Sequence, residues 1–369
     1  MAETRSIPFV DLARQFRSLE DEFVATLRDI GRSGIYVLGE RLESFERAAA
    51  EYCGVAHAIG VGDGSAALFL SLKALGVGPG DEVITAPNSF IATVWTIVAT
   101  GARPVFADVA PDMNIDPERI AAVFGDRTRA IVPVHLTGRP ADMAPINELA
   151  QRHGLHVVED AAQAIGARYR GKRVGGLGSA GAFSLHPLKN LGVYGDGGLI
   201  TTEDAVLAGK LRKLRNHGLR NRDECEVWGY NSRLDPLQAA FAEIKLARLD
   251  QWNERLRQIA TRYREGLAAY CEVPVDSPSE EAVYHNFVIR TPHRDQLMAH
   301  LGARGVDTRV HYPIPLHLQE AARDLGYRVG DFPNAERYAR EMVSLPIYPE
   351  LDDEEVSWVV AQTAAFFTD

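Results

Sequence analysis

The chain has 369 residues, 46% hydrophobic and 24% charged, which is too long for one small core and fits a soluble protein of two domains, or one large domain with an appendage. Its 40 lysines and arginines against 50 aspartates and glutamates leave a formal net charge of −10, so the surface as a whole repels nucleic acid and anionic membranes. An anionic substrate therefore requires a local cationic exception.

The opening residues Met1 to Pro8 contain no apolar signal core. Phe90 to Ala102, the most apolar stretch, is broken by threonines and too short to span a bilayer. Cys53, Cys225 and Cys271 are far apart and odd in number, so they form neither a disulfide framework nor a metal-ligand set. A reduced, cytoplasmic protein without a metal follows, its cysteines acting as small apolar residues.

In chain order, Phe16, Leu19, Phe23 and Leu27 recur at helical spacing. Gly31 to Gly34 breaks that helix, and a second runs from Glu40 to Tyr52. A short apolar strand from Ala56 ends in Gly62-Asp-Gly-Ser65, and Ala66 to Leu75 has strong helix formers. Such a strand, glycine turn and helix presents free N–H groups and a positive dipole end to a phosphate, although Gly-Ser before a helix is also an ordinary cap. Further strands are expected at Gly80 to Pro87, Val105 to Asp108, Ala130 to His135 and His156 to Asp160, with helices between them, including Pro117 to Phe124 and Met143 to Arg152. Strands alternating with helices predict a doubly wound, mostly parallel α/β sheet. Ligands of such sheets gather at the carboxyl ends of the strands, where Ser65, Phe90, His135 and Asp160 fall.

Phe183 to Gly198 then carries Lys189 in a loop shaped by Pro187 and four glycines. A lysine partly desolvated there has a lowered pKa and a free amine for Schiff-base chemistry. Asp204 to Arg215 reads as a helix, and Pro236 to about Tyr270 as one long helix. After a Pro- and Ser-rich stretch come a strand at Tyr284 to Arg290 and helices at Arg294 to Arg304, Glu336 to Val343 and Glu354 to Phe367. The expected division is a large α/β domain over 1–250 and a small α+β domain over 251–369.

Four features belong together: the Gly-Ser turn, an aromatic at Phe90, an acid at Asp160 with Gln163 after it, and Lys189. Pyridoxal phosphate needs each part. Its phosphate wants helix-terminal N–H groups and a hydroxyl such as Ser184, and its ring wants a flat apolar face. Its nitrogen wants a carboxylate and its aldehyde a lysine. Phe90 serves equally as core, and Ser184 as a simple turn residue.

Gly-Asp-Gly-Ser-Ala-Ala-Leu68, Glu-Asp-Ala-Ala-Gln163, Phe-Ser-Leu-His-Pro-Leu-Lys189, Gly-Tyr-Asn231-Ser-Arg-Leu-Asp and His311-Tyr-Pro-Ile-Pro-Leu-His317 resemble the DegT/DnrJ/EryC1/StrS family of sugar aminotransferases, nearly end to end. The resemblance implies fold type I of the pyridoxal-phosphate enzymes, with the pyridoxamine form in the cycle. It implies that Lys189 carries the cofactor and moves the proton, Asp160 meets the ring nitrogen and Gln163 the ring hydroxyl. Gly64, Ser65, Ala66 and Ser184 would hold the phosphate, Phe90 the ring, and Asn231 the phosphate of a partner subunit in a homodimer with shared sites. Glutamate would donate the amine to a nucleoside-diphosphate keto sugar. Tyr36, His186, Tyr194, Arg220, His311, Tyr312 and His317 would contact that sugar, His186 alternatively supporting its loop. Arg212, Arg215, Arg220 and Arg222 would meet the diphosphate or form a solvated basic face, and His135 and His217 are structural. The His186-Pro-Leu-Lys189 form resembles the branch acting at C3 of dTDP-3-keto-6-deoxyhexoses. Amination at C4, 3-dehydration and a non-catalytic regulator are the alternatives; dehydration fits less well because Lys189 is retained.

Overall fold

A computed structural model of the chain describes residues 5–368; the first four residues of the segment read above for a signal core lie outside them. Two helices, α1 (Leu12–Ser33) and α2 (Glu40–Cys53), precede the alternation β1 (His57–Val61), α3 (Gly64–Ala74), β2 (Glu82–Thr85), α4 (Ile91–Thr100), β3 (Arg103–Phe106), α5 (Pro117–Val123), β4 (Thr128–Val132), α6 (Met143–His153) and β5 (His156–Asp160). After two-residue strands β6 (Arg168–Tyr169) and β7 (Lys172–Arg173) come β8 (Ala180–Ser184), β9 (Gly198–Thr202), α7 (Ala205–Leu214), α8 (Pro236–Leu246) and α9 (Leu249–Leu267). The chain closes with β10 (Glu280–Glu281), β11 (Phe287–Arg290), α10 (Arg294–Gly302), α11 (Pro333–Glu341), β12 (Met342–Leu345) and α12 (Asp353–Thr368).

Seven strands form one sheet in the order β1-β9-β8-β5-β4-β2-β3. All neighbours from β8 to β3 are parallel, and only β9 runs antiparallel to its neighbours. This is the mostly parallel α/β sheet the alternation predicts. The strands are largely apolar because helices cover both faces. Ile84, Ile131 and Val157 enter one core cluster, whereas their neighbours Val83, Val132 and Val158 enter another on the opposite face.

Two expected elements differ. The long helix from Pro236 breaks at Ala247 and Arg248 into α8 and α9. The junction, Lys-Leu-Ala-Arg-Leu-Asp, contains only helix-compatible residues. The break comes from packing: α8 lies on α1 and α2, α9 lies on α12, and Leu246 and Leu249 enter the same core cluster. The expected helix from Glu336 to Val343 ends at Glu341, and Met342 to Leu345 pairs with β11 instead. All four residues of β12 are buried, so pairing against β11 overrides helical propensity. One face of that ladder, Phe287, Ile289, Val343 and Leu345, enters a further core cluster with α9, α10 and α12, which Ile7 joins, whereas Val288 and Met342 enter the cluster of Ile84 and Ile131. Ile7 donates to Gly305 O at 2.7 Å and accepts from Asp307 N–H at 3.0 Å. Among the described residues no helix is long and apolar enough to cross a membrane.

The end of β5 is braced by Glu159, which is fully buried. Its carboxylate accepts the N–H groups of Gly175, Leu177 and Gly178, each at 2.8 Å, and lies 3.0 Å from His135 Nε2. His135 Nδ1 accepts Ala141 N–H at 3.0 Å. The neutral ring therefore carries its proton on Nε2 and donates it to Glu159. His135 is thus the satisfied structural histidine expected. Replacing Glu159 with Ala strands one buried and two part-buried N–H groups, and an orphaned buried donor costs about 1–3 kcal/mol. Glu159→Ala is expected to lose about 2 kcal/mol or more in urea unfolding; a loss below about 1 kcal/mol would show that β5 does not depend on this brace.

Candidate active site

The Lys189 loop leaves β8 and folds back on itself. Leu185 N–H donates to Gly197 O, Val193 N–H to Leu185 O and Lys189 N–H to His186 O, each at 2.8 Å. Helices pin the loop from behind. Lys245 of α8 is buried and donates to Gly192 O at 2.6 Å, and its amine is pushed down to about 8 by burial. Asn190 Nδ2 donates to Asn253 Oδ1 of α9 at 2.9 Å and to Val283 O at 3.0 Å. The Lys189 amine is likewise enclosed and pushed down to about 8, burial outweighing the opposing charge of Asp160. Its Nζ lies 3.4 Å from His285 Nε2.

Asp160 ends β5 and is buried. Oδ2 accepts from the Thr93 hydroxyl at 2.7 Å and Oδ1 from Ala162 N–H at 3.2 Å. Thr93 has given its proton to Asp160, so Ser89, 2.7 Å away, donates to Thr93. Burial pushes the Asp160 carboxyl up; the Thr93 hydroxyl and the Lys189 charge pull it down. No side-chain cation among the described residues forms an ion pair with it. Gln163 Oε1 accepts Thr137 N–H at 2.7 Å, which leaves Nε2 to donate to the Tyr312 hydroxyl at 3.3 Å. The Tyr312 ring lies 5.7 Å from that of Phe90, itself 52% exposed. Burial and the Asp160 charge hold the Tyr312 hydroxyl protonated. His311 shares a hydrogen bond of 2.9 Å with the Ser344 hydroxyl, and burial together with Lys189 and Arg309 pushes its imidazole down to about 4.

The glycine turn meets Ser184 directly. A Cβ at Gly64 would lie 2.7 Å from Ser184 Cβ, so only glycine permits this approach. Asp63 caps α3 and takes Ala66 N–H at 2.8 Å. The contact expected of Ala66 is therefore already used, while the N–H groups of Gly64 and Ser65 have no acceptor among the described residues.

Other expected contacts sit elsewhere. His317 is buried, 3.1 Å from Glu336 and packed against Phe332 and Phe106. It is core, and the substrate contact expected of it is corrected on that ground. Arg215 is buried against Glu46 and donates to Gly60 O at 2.7 Å, which removes it from the basic cluster proposed to meet a diphosphate. Arg220 is exposed beside Glu224 and Glu226. The Tyr194 ring packs with Phe16, Phe23 and Phe241, in the α1–α8 layer. His186 is exposed and its Nδ1 accepts Leu188 N–H at 3.3 Å, which suits loop support. Tyr36 is exposed and bonded to Gly31 O at 3.3 Å, and Asn231 is exposed. Sequence reasoning missed Thr93, Lys245 and His285. None stands in a motif, and only the tertiary fold brings Thr93 to Asp160, His285 to Lys189 and Lys245 behind the lysine loop.

Pyridoxal phosphate fits these residues. A buried carboxylate without a cation suits a pyridinium nitrogen, an enclosed amine suits an aldehyde, and two unpaired N–H groups beside a serine suit a phosphate.

Residues 17–364 match the family described as the DegT/DnrJ/EryC1/StrS aminotransferase family. A dTDP-3-amino-3,4,6-trideoxy-alpha-D-glucose transaminase of Streptomyces venezuelae is 48% identical over 97% of this chain and 96% of its own. A protein of Geobacillus stearothermophilus called a pleiotropic regulatory protein is 45% identical over 98% of this chain and 99% of its own. The solved structure of S. venezuelae DesV in complex with a ketimine intermediate superposes with a TM-score of 0.97 at 46% identity, covering 99% of both chains.

Two outcomes follow from the geometry. Thr93→Val removes a hydrogen bond to a charged group, worth about 1.5–3 kcal/mol. Its affinity for pyridoxal phosphate in equilibrium dialysis should fall about tenfold, and an unchanged affinity would mean that Thr93 does not set Asp160. Because burial lowers the Lys189 pKa, the ammonium prevails below about 8 and the free amine above it. In the apoprotein, acetylation of Lys189 followed by mass spectrometry should rise through a midpoint near pH 8; a midpoint near that of a solvated lysine would refute the enclosure.

Proposed function

Because the chain belongs to the DegT/DnrJ/EryC1/StrS aminotransferase family, we propose that it moves an amino group from glutamate to C3 of a dTDP-linked 3-keto-6-deoxyhexose. The aminotransferase family and its pyridoxal-phosphate dependence are shared with relatives over nearly the whole chain. The observation that carries the reading is the enclosed Lys189 amine, coupled by charge to the buried Asp160 carboxylate. The finer choice of C3 and dTDP is supported by the activity for which the S. venezuelae relative is named.

When bound, the cofactor supplies an electron sink and a carrier for the amino group. The chain's own residues do the rest. Asp160 keeps a ring nitrogen protonated, and Thr93 keeps Asp160 ionised. Gly64, Ser65 and Ser184 take the phosphate, Gln163 the ring hydroxyl, and Phe90 one ring face. Lys189 holds and moves the proton at its Nζ, since an amine of pKa about 8 exchanges protons near neutrality. Tyr312 and His311, both uncharged near neutral pH, line the sugar side.

The working unit is a homodimer in the cytoplasm. Leu27, Ile35, Tyr36, Val37, Trp95 and Trp228 are exposed, Trp228 at 92%. These exposed apolar side chains, Trp228 three positions before the exposed Asn231, support a second copy as their cover. The division at residue 250 is supported by the core cluster that α9, α10 and α12 share. A regulatory reading draws on the Geobacillus relative's name, yet an intact lysine and acid favour turnover.

Lys189→Ala is expected to lower turnover by on the order of a thousandfold or more, as loss of an essential proton carrier does. Purified enzyme with glutamate should aminate a dTDP-3-keto-6-deoxyhexose and leave the 4-keto isomer unchanged. Product from the 4-keto sugar alone would move the reaction to C4, and no product from either, with an unbleached visible band in glutamate, would favour the regulator.

A further inference from the structure

We infer that His285 is the resting partner of Lys189, a positioning residue that holds the lysine amine on one line whenever that amine is not engaged by the cofactor. The inference rests on the proton-carrying reading of Lys189. His285 Nε2, at 3.4 Å, is the only side-chain hydrogen-bond partner of Lys189 Nζ among the described residues.

The fold goes to some length to put the imidazole there. Segment 282–286 is strapped to the loop at 137–138: Val283 N–H donates to Gly138 O at 2.9 Å and Asn286 N–H to Thr137 O at 3.2 Å. Gly138 has φ of +94°, and a Cβ on it would lie 2.7 Å from His285 N, so any other residue would push the segment away. Thr137 N–H holds Gln163, so one loop fixes both Gln163 and His285. Asn190, next to Lys189, closes the ring by donating to Val283 O. On the far side Tyr284 adopts φ of +46°, a costly conformation for a bulky residue, and its hydroxyl is tied to Asp276 and Arg264.

The charges define the role. Lys189, His311 and His186 are the groups whose charge reaches His285, all raising the cost of an imidazolium already disfavoured by burial. His285 therefore stays neutral and does not take the proton. An ammonium offers only donors, so Nε2 accepts from it and the ring proton resides on Nδ1. Asp160 acts on the same ammonium by charge. Lys189 is thereby aimed without being discharged, and it returns to one position after each departure.

Gln places a polar atom near the position of His Nε2, Leu places none, and Asn falls short. In the full-length apoprotein, His285→Leu should shift the midpoint of Lys189 acetylation downward by roughly one pH unit, because the ammonium loses its acceptor. His285→Gln should restore it. In the loaded enzyme His285→Leu should lower kcat at least about tenfold with KM little changed, and His285→Gln should recover most of that loss. If the Leu variant does not fold, His285→Asn carries the same expectation. Unchanged midpoint and kcat in Leu or Asn, or equal losses in Gln and Asn, would overturn the inference. Lys189→Ala run alongside separates the two readings. If it loses no turnover the proton-carrying reading fails, whereas an effect there with none at His285 sinks this inference alone.

Discussion

Two adjacent carboxylates close β5, and the pleat sends them to opposite faces of the sheet. Glu159 turns inward, where three backbone N–H groups and His135 saturate it. Asp160 turns toward the site, where a hydroxyl and one N–H leave it short of a positive partner. The same residue chemistry thus yields a brace on one face and a demand for a cation on the other. A slip of one residue in β5 would exchange them, so the site depends first on the register of this strand against β4 and β8.

Around that acid the chain collects bases whose pKa values burial pushes down. Lys189 and His311 are both pushed down by burial, and the charge of Lys189 adds to the cost of charging His311. Lys245 is held the same way one layer behind. Low dielectric does most of this, and the geometry chooses which nitrogen meets which partner. The outcome is a pocket in which the buried Asp160 and the enclosed Lys189 act on each other by charge, inside a protein whose net charge is −10.

Much of this was legible in the sequence. Alternating apolar strands and helices gave the sheet, because burial on both faces leaves continuous apolar runs. Lys189, Asp160 and the turn at Gly64 were legible because each sits in a short motif with a chemical reason. The break between α8 and α9 was not, since its junction residues all favour helix and packing alone decides. Nor was β12, whose Met-Val-Ser-Leu becomes a strand only because β11 lies beside it. His317 and Arg215 misled for a related reason. A motif places a residue near others along the chain, but only the fold reveals that Glu336 and Glu46 bury them. Thr93 and His285 reach the site across 67 and 96 positions of sequence, a separation that no local pattern encodes.

The pairing of Ile7 with the segment at Gly305 to Asp307 bears on how the chain is made. Ile7 leaves the ribosome 299 positions before Val306 (306 − 7). At about 5–20 residues per second this is roughly 15–60 s during which its final neighbours do not exist. The large sheet can form in that interval, whereas the C-terminal core must wait for both ends. Its completion is therefore the step that takes an apolar N-terminal residue out of reach of chaperones and proteases.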